Sequence, residues 1–267
     1  MKFDEFLKEC REQWPVWDDP ERVPHVAHPR DRRLAPLLLD VKGMASENKL
    51  MLLNLAARHL EPGEVYLEIG SWHGLSLAGA AASNSAKFYA CDNFSHSRAD
   101  RAMLRRTLER YTAPGQVEFF DMDFREFLRL APWAPHKVGA YFYDNGHSFR
   151  DQFHALELIQ PWLSDGAAVI VDDTNDLPVR AANRLFVKHA PEFALVADIL
   201  TTVPRSPTWW NGVQVYQFRR SPQPNSLRPP LLSYLAHQVV FSGLVTGIQR
   251  LAKTAWWAYK RRTLARS

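Results

Sequence analysis

The feature that most constrains this chain is an alternation of short apolar runs with amphipathic stretches between residues 46 and 172. Val65 to Ile69, Phe88 to Cys91, Val117 to Phe120, Val138 to Tyr143 and Ala167 to Val171 each have the length and the unbroken apolar character of strands buried on both faces. Helical patterns lie between them. Five such strands joined by helices require right-handed crossovers, which predicts an α/β fold with a doubly wound, mostly parallel sheet and ligands at the carboxyl ends of its strands. Phe193 to Ile199 and Val213 to Phe218 follow with no helical pattern between them, so they are expected to complete seven strands as an antiparallel hairpin. Ahead of the sheet, Leu50, Leu53, Ala57 and Leu60 recur at helical spacing behind Ser46 as a cap, and Glu61-Pro62-Gly63 ends that helix.

Three regions follow. Residues 1–45 read as a short helix and then a proline-rich, charged stretch from Pro15 to Pro36, which suits an irregular cover or lid. Residues 46–220 form the α/β domain. Residues 221–267 comprise a linker, Pro222 to Pro230, and an amphipathic basic tail. In that tail Leu231, Leu235, Val239, Leu244, Ile248, Leu251 and Ala255 make an apolar face, followed by Trp256, Trp257, Lys260, Arg261 and Arg262. His237, Gln238, Ser242 and Gln249 argue against a membrane span, so the expectation is a helix lying on a membrane surface; docking on a partner subunit, a second copy of the chain or the domain itself is the alternative.

Lysine and arginine total 33 against 29 acidic residues, and a formal charge of +4 is too small to imply a nucleic-acid partner. Cys10 and Cys91 lie far apart and read as reduced thiols, and Met1 to Cys10 lacks the uncharged core of a signal peptide. A cytoplasmic chain is expected, peripheral at the inner membrane face if the tail binds lipid.

The first strand ends in Glu68-x-Gly70-Ser71-Trp72-x-Gly74, where glycines permit a sharp turn and a close backbone approach. The spacing departs from the Gly-x-Gly-x-x-Gly that seats a pyrophosphate, so a cofactor without phosphates is expected. Asp92 ends the second strand, placed to accept hydrogen bonds from ribose hydroxyls, and Asp123 follows the third, placed near an adenine; the lesser alternative is that Glu68 and Asp92 only cap the helices that follow. The fourth strand runs into Asp144-Asn145-Gly146-His147 and the fifth into Asp172-Asp173. Three carboxylates meeting in one crevice repel one another unless a cation sits among them, and oxygen ligands favour Mg²⁺, with Mn²⁺ or Ca²⁺ as alternatives. An ion on Asp144, Asp172 and Asp173 would lower the pKa of a substrate hydroxyl, and His147, with an ordinary pKa near neutrality, is the candidate base.

With these motifs in order, residues 43–218 resemble the metal-dependent class I methyltransferases, a Rossmann-like fold. Within that group the chain looks most like O-methyltransferases of small molecules and sugars, including the sugars of macrolides. The resemblance implies S-adenosylmethionine bound by Glu68, Gly70, Ser71, Trp72, Gly74, Asp92 and Asp123. It also implies Mg²⁺ on Asp144, Asp172 and Asp173, with Asp144 and His147 as catalytic residues. It gives Met44 and Ser46 a place beside the transferred methyl group. Trp209 and Trp210, before the last strand, are candidates for the acceptor site, since tryptophan faces pair with sugars and aromatic rings; sealing the hairpin against the core is the alternative. The expected function is methylation of a small-molecule or sugar hydroxyl. A metal-containing hydroxylase resembling the cephalosporin hydroxylases, or a catalytically idle membrane-bound scaffold, is the alternative. If the tail binds lipid, the full chain will co-sediment with anionic liposomes and a chain ending at Ser221 will not; equal distribution of the two would rule the membrane out.

Overall fold

The computed structural model describes residues 1–96, 98–221 and 231–241. Its helices and strands run α1 (Phe3–Gln13), α2 (Ala35–Asp40), α3 (Glu47–Arg58), β1 (Glu64–Ile69), α4 (Leu75–Ala81), β2 (Lys87–Asp92), α5 (Arg101–Tyr111), β3 (Val117–Asp121), α6 (Phe124–Leu130), β4 (Lys137–Tyr143), α7 (Phe149–Ile159), β5 (Leu163–Asp172), α8 (Leu177–His189), β6 (Phe193–Ile199), β7 (Val213–Phe218) and α9 (Leu231–Gln238). The seven strands form one sheet in the order β3-β2-β1-β4-β5-β7-β6. β7 pairs antiparallel with both β5 and β6, and the other pairings are parallel. The expected doubly wound sheet and its closing hairpin are both present.

Period-two alternation sends successive side chains of the central strands to two separate cores. Tyr66, Phe88, Ala140, Phe142, Ala168 and Ile170 face α3, α4 and the N-terminal segment. Leu67, Ile69, Tyr89, Tyr141, Tyr143, Val169 and Val171 face α6, α7 and α8. Polar side chains fix several helix starts: Ser46, Asp100, Asp123 and Ser148 each accept a backbone N–H from the first turn of α3, α5, α6 and α7. Helix α3, expected from the spacing of its leucines, is buried on every side from Glu47 to Ala57, so it is a core helix.

The proline-rich N-terminal stretch is more than a surface cover. Trp14, Trp17, Val23 and Leu34 are buried in the first core. Trp14 lies 5.4 Å from Trp17 and 5.1 Å from Trp209, ring centre to ring centre. Its Nε1 donates to Asn48 Oδ1 at 2.8 Å, while Asn48 Nδ2 donates to the carbonyls of Val26 and Thr208. One buried asparagine thus joins the N-terminal segment, α3 and the loop before β7. Tertiary packing of three tryptophans overrides what prolines and charges imply locally.

The described part of the tail packs on the domain: Tyr234 lies 5.0 Å from Phe153 and 5.8 Å from Phe149, between ring centres. Leu235 and Val239, from the predicted apolar face, are exposed. No helix among the described residues is long and apolar enough to cross a membrane. Leu244, Ile248, Leu251, Ala255 and the basic aromatic cluster that follows lie outside the described residues.

Gly70 and Gly63 both have left-handed backbone, at φ +90° and +87°, but a side chain at Gly70 would stand 1.9 Å from the Asp144 carbonyl oxygen, whereas nothing lies within 4 Å of one at Gly63. Gly63→Ala is therefore expected to cost about 1 kcal/mol, the left-handed strain alone. Gly70→Ala adds a collision between two strand ends and is expected to cost about 3 kcal/mol or more. Urea denaturation of both variants checks this, and equal losses would contradict the close approach.

Candidate functional site

The crevice opens where β1 and β4 end side by side. The Asp144 N–H donates to the Ile69 carbonyl and the Gly70 N–H to that of Cys91, both at 2.9 Å, so the ladder continues to the last residue before each loop. The glycine at position 70 is required by this meeting of strands; the backbone it approaches closely is that of Asp144, not only that of a ligand. Trp72, Phe94 and Asp173, in the loops after β1, β2 and β5, all have left-handed backbone, at φ 45°, 51° and 54°. Such conformations in residues with side chains cost of order 1–3 kcal/mol each and gather at functional sites.

Gly43, Met44, Ala45, Lys49, Gly70, Ser71, Trp72, His73, Asp144 and Asp172 are among the residues lining a narrow cavity here. Its free interior, about 30 Å³, is that of one water molecule. One polar atom among the lining residues, Trp72 Nε1, is buried with no hydrogen-bond partner, while the Ser71 hydroxyl is directed to Glu68. Orphaned buried donors are costly and rare, and this one points to a polar ligand in this cavity. Met44, on the segment over the cavity, is 39% exposed, whereas Ser46 is buried as the cap of α3. Gly74 caps α4 with left-handed backbone. His73 lies 3.6 Å from Trp72, ring centre to ring centre, its Nδ1 near the Lys42 carbonyl and its Nε2 near that of Arg98.

The three carboxylates expected around a nucleoside are placed differently. Asp92 ties two loops, accepting the Trp72 N–H at 2.8 Å on Oδ2 and the Phe94 N–H at 2.6 Å on Oδ1. Glu68 is fully buried below the glycine loop, accepting hydrogen bonds from Ser76 Oγ at 2.8 Å and Tyr66 OH at 3.2 Å. Burial raises its pKa to about 7, against those hydrogen bonds and with help from Asp92. Asp123 caps α6 through the Arg125 N–H and pairs with the Arg125 guanidinium at 3.0 Å. Glu68, Asp92 and Asp123 are not among the cavity-lining residues.

At the ends of β4 and β5 the acidic residues do converge, with a partner that sequence reasoning missed. Lys49, with a side chain of 0% exposure, donates from Nζ to Asp172 Oδ1, which also accepts the Asp173 N–H at 2.7 Å. The expected trio of Asp144, Asp172 and Asp173 is thereby divided. Among the described residues, the group able to hold a metal ion is Asp144, His147 and Asp173, whose ligand atoms lie within 4.8 Å of one another. His147 Nε2 is 2.7 Å from Asp173 Oδ2, and its Nδ1 is 3.4 Å from Asp176 Oδ2. Asn211 Nδ2 donates to Asp173 Oδ1 at 2.8 Å.

These contacts set the charges. Burial raises the pKa of Asp144 well above the ordinary carboxyl value, and the charges of Asp172 and Asp173 add to it. Asp172 is also raised by burial, against the opposing charge of Lys49. Burial would raise Asp173 as well, but its hydrogen bond to His147 and the imidazolium charge bring it to about 2. Burial disfavours the His147 cation; the hydrogen bonds to Asp173 and Asp176 outweigh it and raise the ring to about 11. In this arrangement both ring nitrogens of His147 face carboxylates, which favours its protonated form over the neutral ring expected from its ordinary pKa. A signal for Lys49 was present in the sequence: a lysine beside the apolar run Leu50 to Leu53 must find a counter-charge if that helix is buried.

Trp209 is fully buried, donating from Nε1 to the Val23 carbonyl at 2.8 Å. It holds the N-terminal segment and does not line the cavity; Trp210 is partly exposed with left-handed backbone. A larger depression of about 550 Å³ lies at the opposite end of the sheet, by Arg58, Glu64, Lys87 and His136. Arg58 and Lys87 are already paired there with Glu9 and Glu118, and no lining side chain is orphaned.

Residues 67–174 match the family model described as a methyltransferase domain, a span that holds both β1 and β5 and hence both sides of the crevice. No curated protein matches the chain significantly. Among solved structures the chain is similar to an O-methyltransferase from Bacillus cereus in complex with SAH, with 15% identity and a TM-score of 0.54 over 77% of this chain and 99% of that one. It is also similar to the O-methyltransferase TomG from Streptomyces achromogenes, involved in tomaymycin synthesis and in complex with SAM, with 15% identity and a TM-score of 0.54 over 78% and 99%. At this identity the likeness shows the fold, which is that of the class I methyltransferases.

The raised Glu68 has a thermodynamic consequence. The folded chain keeps a proton that the unfolded chain releases near 4.5, so Glu68 lowers stability progressively as pH rises from 4.5 to about 7. Glu68→Gln is expected to remove that component, on the order of 3 kcal/mol at its limit. Melting temperatures of both proteins between about pH 5 and 8 test this; parallel curves would refute a raised Glu68.

Proposed function

We propose that this chain transfers a methyl group from S-adenosylmethionine to a hydroxyl of a small molecule, a sugar included. The observation that carries the reading is the adjacency of two features in one crevice. The glycine-turn loop presents the orphaned Trp72 Nε1, and the neighbouring strand ends carry Asp144, Asp172 and Asp173. The first suits the polar edges of a nucleoside and an amino acid; the second suits removal of a hydroxyl proton. Support comes from the methyltransferase-domain match over residues 67–174. The likeness to structures described as O-methyltransferases bound to SAH or SAM points the same way.

A cavity of about 30 Å³ is too small for such a cofactor. Binding therefore requires the segment Gly43 to Ala45 to lift, with exposed Met44 closing over the methyl group afterwards. Ser71, Trp72 and Asp92 then face the cofactor, and Glu68 and Gly74 shape the loop from behind. In the transfer, an acceptor oxygen attacks the methyl carbon as the bond to sulfur breaks, leaving S-adenosylhomocysteine, and the hydroxyl proton passes to a base. Asp144 suits that role because burial and its acidic neighbours raise its affinity for a proton. His147 can share it once its pairing with Asp173 is broken. Asp144, His147 and Asp173 are the residues that would hold Mg²⁺, and their mixed oxygen and nitrogen donors suit Mn²⁺ as well. An ion there would supply Lewis acidity toward the acceptor oxygen.

Titration calorimetry with S-adenosylhomocysteine and S-adenosylmethionine, with and without Mg²⁺, is the first test. The expected result is 1:1 binding in roughly the micromolar range that Mg²⁺ changes little; absence of heat from both ligands with a folded chain would end the proposal. Asp144→Asn should bind S-adenosylhomocysteine within about threefold of wild type. With an acceptor found by mass-spectrometric screening of hydroxylated compounds, it should lose about a hundredfold or more in rate. Undiminished turnover would remove Asp144 from the reaction.

A further inference from the structure

We infer that Lys49 is the resident cation of the acidic cluster, and that Asp172 is thereby a positioning residue and not a metal ligand. The inference concerns the crevice of the proposed reaction but does not require that reaction to be methyl transfer.

Asp144, Asp172 and Asp173 together place three carboxylates at neighbouring strand ends, and such a group needs positive charge. The structure supplies two organic cations, each on a different carboxylate: Lys49 on Asp172 and His147 on Asp173. The Lys49 contact is the less dispensable. Its side chain has 0% exposure, and that of Asp172 1%. Helix α3 is buried on every side around it, and the space that Lys49 borders is the narrow cavity it shares with Asp172, so its charge stays beside that carboxylate. If a divalent ion took Asp172, it would strand a buried ammonium and sit against that ammonium's charge. Both effects oppose binding there. His147 is unlike Lys49 in this respect: its side chain is 44% exposed, so it can turn from Asp173 and make way for an incoming ion. The division of the cluster follows. A metal-competent group, Asp144, His147 and Asp173, reaches solvent through His147, and a buried pair, Lys49 and Asp172, which borders the narrow cavity, fixes α3 against β5 and holds the Asp173 N–H.

Mn²⁺ binding to the full chain, read by the electron paramagnetic resonance of the free ion, tests the inference without any methyl donor or acceptor. Lys49→Met should bind Mn²⁺ about tenfold or more tightly than wild type, because Asp172 is then released as a ligand. Adding Asp172→Asn should cancel the gain. The double variant Lys49→Met/Asp172→Asn is neutral at both positions and close in shape, so it keeps the question open to experiment even if the single variant fails to fold. Its Mn²⁺ affinity should match that of wild type within about threefold, whatever that affinity is. Loss of wild-type Mn²⁺ binding in the double variant would make Asp172 a metal ligand and overturn the inference, as would a folded Lys49→Met with no gain. Calorimetry with S-adenosylhomocysteine is unaffected by either outcome, so failure here is distinguishable from failure of the methyltransferase reading.

Discussion

The ion pair between Lys49 and Asp172 is the constraint on which the functional half of this molecule depends. A charged lysine inside a helix that is buried on all sides is tolerable only with a counter-charge at contact distance. That requirement fixes the start of α3 over the end of β5. The residues next to Lys49 then fall into place. Asn48 reaches back to Trp14 and Val26 and forward to Thr208, and Ser46 caps the helix beside the segment that covers the cavity. A pair of this kind adds little net stability over an apolar substitute, but breaking one half of it is costly. It specifies one arrangement of helix on sheet more than it strengthens it.

The rest of the crevice is shaped by backbone geometry. Gly70 lets β1 and β4 end in contact, bringing the glycine loop next to Asp144, and Asp92 fastens the loops after β1 and β2 through two backbone N–H groups. The carboxylates consequently do different work according to depth. Glu68 is sealed in and keeps its proton to about pH 7, Asp92 and Asp123 hold loops and a helix start, and Asp144 stands at the boundary with a raised affinity for a proton. Residues of one chemical type at successive strand ends thus differ in function because burial and neighbours differ.

Much of the fold was legible in the sequence because buried parallel strands are short, apolar and separated by helices. The predicted runs from Val65 to Val171 lie inside β1 to β5, and the hairpin strands Phe193–Ile199 and Val213–Phe218 coincide with β6 and β7. That acidic residues ending β4 and β5 converge was also legible, since the carboxyl ends of adjacent parallel strands must be neighbours, but the expected trio was Asp144, Asp172 and Asp173 and the group that meets is Asp144, His147 and Asp173. Three features were not. Lys49 beside the apolar run Leu50 to Leu53 signals the need for a counter-charge, but Asp172 is distant in sequence and nothing local names it as the partner. Trp209 reads as a loop aromatic, but three tryptophans from separate segments bury one another. The neutral ordinary pKa of His147 says nothing of the two carboxylates that hold its proton.

The sequence by itself determined the order of strands and helices, the glycines at the first turn and the acidic residues at the last ones, because these follow from periodicity and from backbone conformations that few residues allow. Only the tertiary structure decided which charges meet. Electrostatic partners are set by distances between atoms of segments far apart in the chain, and those distances exist only once the sheet is assembled. The three carboxylates that looked like a single cation site are therefore two: one held by the ammonium of Lys49, and one that reaches solvent through His147.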